Sequence, residues 1–172
     1  MEYWQANFDA ISHAVSNGTT VVEAGGNGSA NLDEAQYHSL FSRDYRDSGA
    51  ILVGAAGAGD RVPTCWTNHG SRIDVHGWGE SVTTLGYGDR FNGGGDENQY
   101  YTGTFSGTSS ASPIITAAVA CIQGANTSAG RFPLSPLALR DILVTTGTAQ
   151  VPSSSLIGPL PNLRAALAKL RL

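Results

Sequence analysis

The string FSGTSSASP over residues 105–113 is the part of this chain best suited to chemistry. An extended segment runs into Gly107-Thr108-Ser109, and small residues then open an apolar helix. This order sets the Ser109 hydroxyl at a helix N-terminus, where unpaired backbone N–H groups and the helix dipole favour developing negative charge. Gly107 and Ala111 keep the surroundings small, so a substrate backbone could approach. Pro113 is expected about one turn into the helix, where its missing N–H costs least. Gly107-Thr108-Ser109 alone would suit an ordinary helix cap; the whole string followed by so apolar a helix is far more specific.

That string resembles the serine motif of the subtilisin-like peptidases, Gly-Thr-Ser-x-Ala-x-Pro, matched at Gly107, Thr108, Ser109, Ala111 and Pro113. A second segment, VVEAGGNG over 21–28, is similar to the strand and turn that carry the family's oxyanion asparagine, with Asn27 between Gly26 and Gly28. Asn27 precedes Ser109 by 82 positions, in the family's order and spacing. Residues 73–79 (IDVHGWG) resemble its later strands, so the resemblance covers nearly the whole chain.

The resemblance implies Ser109 as nucleophile and the Asn27 amide, with the Ser109 N–H, as donors to a tetrahedral oxyanion. It places Ala24, Gly25 and Gly26 in a wall of the pocket for the residue before the scissile bond, and Gly107 and Thr108 beside the substrate. Attack on an amide carbonyl builds charge on oxygen, and fixed donors aimed at that charge lower the barrier. The competing role for Asn27 is that of a left-handed turn residue in a Gly-rich loop. Asn27-Gly28-Ser29 also reads as a glycosylation sequon, like Asn17-Gly18-Thr19 and Asn126-Thr127-Ser128, and for Asn27 that reading is set aside.

The departures from the family are equally informative. Its members carry an Asp-Thr/Ser-Gly motif and a His-Gly-Thr motif upstream of the asparagine, and neither is among residues 1–26. The Ser-Leu-Gly-type strand that binds substrate backbone is also missing. Other histidines are poor substitutes. Asp9 and His13 are one turn apart but fall opposite the apolar stripe of their helix. His69-Gly70-Ser71 follows Asn27 and leads into a strand, and His38 has no context. Asp74 and His76 share a strand face and could touch a cation, though a lone pair is weak metal evidence. No cofactor is expected; the resemblance leaves room for a structural calcium ion near Asp74.

These residues need an α/β scaffold. Trp4, Phe8, Ile11 and Val15 form one helical stripe ended by Asn17-Gly18. Buried strands are expected at Thr19–Glu23 and Ala50–Ala56, the second apolar throughout as in a parallel sheet covered on both faces. Shorter strands fit 73–75 and 82–85, and a loop tip at 92–98 leads into an extended 100–105. The 109–122 helix, apolar nearly all round, belongs at the centre of a fold. Ser135-Pro136 begins another helix that ends near Gly147, and a last one spans about 162–170. With no repeat or linker, residues 1–172 read as a single, partial peptidase domain. The expected fold is α/β, part of a parallel-sheet three-layer subtilisin-like fold lacking its N-terminal strands.

Composition agrees. Charged residues make up 14% and hydrophobic ones 41%, which argues against disorder. A net charge of −4 with no basic cluster gives no footprint for nucleic acid. Apolar runs fall short of the ~20 residues that span a bilayer, and Met1-Glu2-Tyr3-Trp4 does not begin a signal peptide, although an extracellular location would be typical of the family. Two cysteines make no disulfide scaffold; Cys121 is expected in the core and Cys65 before a strand, with their pairing open.

Three readings follow: a truncated serine endopeptidase domain, inactive alone; half of a split enzyme whose Asp and His come from a second polypeptide; or a non-catalytic peptide-binding module. All take a peptide or protein as partner. The DNA just upstream of Met1 discriminates among them, since Asp and His motifs in frame favour the first and a separate reading frame favours the second.

Overall fold

A computed structural model describes residues 2–171. The apolar run at 50–56 becomes β2 (Ile51–Ala56), buried at every residue. It lies between β1 (Val22–Ala24) and β3 (Val75–Trp78) and pairs in parallel with both, Val22 opposite Ile51 and Val53 opposite Val75. β3 starts later than its composition suggests. Ile73 N–H closes a turn to Gly70 O, and Asp74 N–H donates to Leu52 O, before regular pairing begins.

One face of this sheet is covered by helices, as β-branched parallel strands require. Ile51, Val53 and Val75 pack with Ala111, Ile115 and Ile122 of α2 (Thr108–Ser128). Leu139 and Leu143 of α3 (Pro136–Thr146) and Ala166 of α4 (Leu163–Lys169) complete that core. The α3 start is as expected, with Pro136 in the first turn and Ser135 Oγ accepting from Ala138 N–H at 3.2 Å. The other face is covered by irregular chain rather than a helical layer: Leu52 and Ile73 meet Leu32, Phe41 and Ile157.

α1 (Gln5–Ser16) buries no residue fully. Phe8 lies beneath the Arg46 guanidinium at 4.4 Å, while Trp4, expected in the apolar stripe, is an exposed N-cap in an extended conformation. α2 is two-faced instead of buried all round. Ala111, Ile115, Ala118 and Ile122 point inward at i, i+4, i+7 and i+11, leaving Ala117, Ala120 and Cys121 exposed. Cys121 is therefore not a core residue, and both cysteines are free. No helix among the described residues is long and apolar enough to cross a membrane.

The start of β2 and β3 is held by a buried ionic network. Arg72 is fully buried and donates to Glu2 Oε1 at 2.6 Å, to Asp74 Oδ2 at 2.7 Å and to Ala50 O at 3.2 Å. Asp74 Oδ2 also accepts Leu52 N–H at 2.8 Å, and its Oδ1 accepts from Arg43. Burial alone would lower the Arg72 pKa, but the Asp74 and Glu2 carboxylates outweigh it and raise it. A cation at Asp74 would meet two guanidinium groups already bound there, so this site does not fit the calcium ion the sequence left room for. His76 does not join Asp74 either, because its Nδ1 bonds Gly158 O at 2.7 Å.

Candidate active site

Two turns leave neighbouring elements and meet. The first follows β1. Gly25 N–H donates to Val53 O at 2.8 Å, and a Cβ at Gly25 would lie only 2.8 Å from that oxygen, so the close approach requires glycine. Gly26 then turns at φ +98°, Asn27 stands exposed, and Ser29 adopts φ +55°. Ala24, Gly25 and Gly26 thus run along one edge of the site and end at Asn27.

The second turn joins a hairpin to α2. β4 (Val82–Leu85) pairs antiparallel with β5 (Tyr101–Phe105), matching the strands expected there, and the intervening loop forms short 3₁₀ turns at Gly93–Gly95 and Glu97–Gln99. Gly107 follows with φ +114° and ψ 165°, its N–H donating to Gly79 O at 2.8 Å. The Ser110 hydroxyl lies 3.0 Å from Trp78 O and 2.9 Å from Gly107 O, tying the helix start to the end of β3.

Thr108 joins the two turns. Its N–H and its hydroxyl both donate to Asn27 Oδ1, at 2.9 and 2.8 Å, and Gly26 N–H donates back to Thr108 Oγ1 at 3.1 Å. With Oδ1 occupied on the Thr108 side, the Asn27 Nδ2 donors face elsewhere. A Cβ at Gly107 would lie 3.2 Å from Asn27 Nδ2 and 3.5 Å from Ser109 N, so both nitrogens border the small volume left by the missing side chain. The Ser109 N–H has no acceptor among the described residues, and the Ser109 side chain is exposed. Pro113 sits inside α2 four residues after Ser109, so the Ser109 carbonyl lacks its helical N–H partner. That bond is lost, contrary to the expectation that proline costs little at this point.

Among the described residues no histidine side chain hydrogen-bonds to Ser109. Asp9 accepts from Gln5 at 2.7 Å, and His13 Nε2 is 3.4 Å from Asn17 Nδ2, both on the exposed face of α1. His38 ends a short 3₁₀ turn at Ala35–Tyr37, and His69 bridges to Asn31. His76 is buried on β3, and burial, joined by the charge of Arg61, lowers its pKa despite the bond to Gly158. An apolar cleft of about 250 Å³, lined by Val82, Phe105, Pro113, Ile114 and Ala117, opens beside the start of α2. Sequence reasoning missed Asn68, whose backbone N–H donates to Gly26 O at 2.9 Å. No local pattern marks it, since its role depends on a segment 40 positions away.

The arrangement could hold negative charge between two N–H donors next to a serine hydroxyl. A family model described as the subtilase family matches residues 2–158. An extracellular protease of Xanthomonas campestris pv. campestris is 31% identical over 142 residues, which span 82% of this chain and 22% of that protein. The self-cleaved protease domain of PatA superposes with a TM-score of 0.67 at 22% identity, over 95% of this chain and 54% of that one. A cold adapted subtilisin-like serine proteinase gives 0.63 at 20% identity, over 92% and 52%. This chain therefore spans about half the length of these solved chains and about a fifth of the curated relative.

Proposed function

The chain belongs to the subtilase family, and from that premise we propose that it forms the nucleophile-bearing part of a serine endopeptidase domain. Ser109 Oγ attacks the substrate carbonyl, and the oxygen that becomes negative is held by the Ser109 N–H and Asn27 Nδ2. The observation that carries this reading is the paired donation from Thr108 to Asn27 Oδ1, which turns the amide N–H groups away from Thr108. Ala24, Gly25 and Gly26 line the approach of the residue before the scissile bond. A serine hydroxyl is a weak nucleophile unless a base takes its proton. That base and its orienting carboxylate come from a further segment, in the same or a second polypeptide, which docks beside the start of α2.

A fluorophosphonate probe tests the assignment. The purified 172-residue chain is expected to label no faster than its Ser109→Ala variant. Co-expression with a polypeptide carrying the family's Asp and His segments is expected to produce labelling that Ser109→Ala abolishes. Rapid Ser109-dependent labelling of the chain alone would place the base within it. No labelling in the complemented sample would favour a non-catalytic peptide-binding module.

A further inference from the structure

We infer that Asn68 is a positioning residue, which holds the turn carrying Asn27 in the geometry an oxyanion donor needs. The inference rests on the reading of Asn27 above. Asn68 is 7% exposed, and the side-chain bonds of its amide all go to one short segment. Its Oδ1 accepts the N–H groups of Gly28 and Ala30, both at 3.0 Å, and its Nδ2 donates to Gly25 O at 2.9 Å. Its backbone N–H donates to Gly26 O at 2.9 Å. Gly25 and Gly26 precede Asn27, while Gly28 and Ala30 follow it, so one residue fixes the turn on both sides of the donor.

The amide orientation is determined by its partners. Two donors face Oδ1 and one acceptor faces Nδ2, so a flipped amide would oppose N–H to N–H and oxygen to oxygen. Such an anchor matters because the turn leaves the β1–β2 ladder after Gly25 and passes through positive φ at Gly26 and Ser29 before His69 N–H takes up Ala30 O. A free segment of this kind has many conformations to lose. Asn68 is itself referred to the sheet. The Thr67 hydroxyl accepts Ala55 N–H at 3.0 Å and donates to Asn68 O at 3.0 Å, which links β2 to the turn. Gly28 fits closely, since a Cβ there would lie 3.3 Å from Asn68 Oδ1. Because the Asn68 side chain is buried and its bonds run to Gly25, Gly28 and Ala30, it acts on the site through Asn27 and not by touching substrate. Misplacing a catalytic group by about 1 Å can cost on the order of 10²-fold in rate, so a rigid tether at this point has functional weight.

The test uses the chain complemented with the polypeptide that carries the family's Asp and His segments, with a peptidyl boronic acid as probe. Boron takes a lone pair of Ser109 Oγ, the hydroxyl proton passes to buffer, and a tetrahedral boronate anion forms that keeps both boron-bound hydroxyls. Two quantities are read: amide exchange at Gly28 and Ala30 by NMR, and boronate affinity by the boron resonance. Asn68→Leu is expected to speed exchange at Gly28 and Ala30 and to weaken boronate binding, each by about tenfold or more, with Leu52 and Val53 exchange unchanged. Asn68→Asp keeps the two acceptor bonds but sets an oxygen in place of the donor to Gly25 O, so Gly28 and Ala30 should stay partly protected and affinity should fall less than in Asn68→Leu. If Asn68→Leu does not fold, the Asn68→Asp result carries the test, and lost protection there overturns the inference. Unchanged exchange in Asn68→Leu also overturns it. So does unchanged boronate affinity in Asn68→Leu when Asn27→Ala weakens binding. A complemented wild-type chain that takes no boronate refutes the reading of Ser109 and Asn27, and with it the purpose assigned to Asn68, while exchange still reports whether the turn is held.

Discussion

Asn27 Oδ1 accepts two hydrogen bonds from Thr108, one from its backbone at 2.9 Å and one from its hydroxyl at 2.8 Å, across 81 positions of sequence. The two turns of the site are therefore fastened through a single side-chain oxygen. Thr108→Val keeps the branched shape but removes the hydroxyl, which costs Asn27 one donor and Gly26 N–H its acceptor. The variant should lose about 1–2 kcal/mol of stability by calorimetry, and Thr108→Ser should lose much less. A Thr108→Val protein as stable as wild type would mean that the hydroxyl bonds contribute nothing.

Gly107→Ala should be costly at this buried position. The residue sits at φ +114°, and a Cβ would crowd Asn27 Nδ2 at 3.2 Å. A loss of about 1–3 kcal/mol is expected in urea unfolding, together with a shifted Asn27 side-chain amide resonance. A silent amide resonance would count against the close approach of the two turns.

Arg72→Met should be severely destabilising. It leaves the buried Asp74 and Glu2 carboxylates without the guanidinium between them, a change that typically costs about 3–5 kcal/mol. Arg72→Lys should not rescue, because one ammonium cannot reproduce the forked contacts to Glu2, Asp74 and Ala50 O. Equal stability of the Lys variant and wild type in urea would refute this account.

His76 makes stability depend on pH. Burial holds its folded pKa below the ordinary value near 6.5. Below that value the unfolded chain binds a proton that the folded one refuses, so the contribution is present above about pH 6.5 and is lost as pH falls through the folded pKa. Urea midpoints should therefore fall between about pH 7.5 and pH 5, and by less in His76→Gln. An identical fall in the variant would assign the effect to other groups.

Asp47 should titrate far below the usual carboxylate range. Hydrogen bonds from Arg140, opposed by burial and aided by Gly49 N–H, hold its pKa at about 2. Its stabilising contribution is present above the unfolded pKa of about 3.9 and disappears as pH falls through the folded value. Carboxyl carbon NMR should show the Asp47 midpoint moving up in Arg140→Gln. An unmoved midpoint would remove Arg140 as the cause.

The sequence by itself determined what is local. An unbroken apolar run made β2 a buried parallel strand, and Ser135-Pro136 set the start of α3 because cap and fixed φ act within one turn. Gly107-Thr108-Ser109 and Gly26-Asn27-Gly28 marked the two turns of the site, since glycine is needed wherever backbone adopts positive φ or packs too closely for a Cβ. Tertiary structure decided whatever depends on distant partners. An all-round apolar helix could not announce that Cys121 would face outward, because burial depends on which elements cover each side. Asp74 looked like half of a cation site until Arg72 and Arg43 were found on its carboxylate, and Asn68 carried no signal at all. The Arg43 bond to Asp74 and the Asn68 bonds join segments tens of residues apart, and a buried polar group chooses its partner by position in space, which no local pattern records.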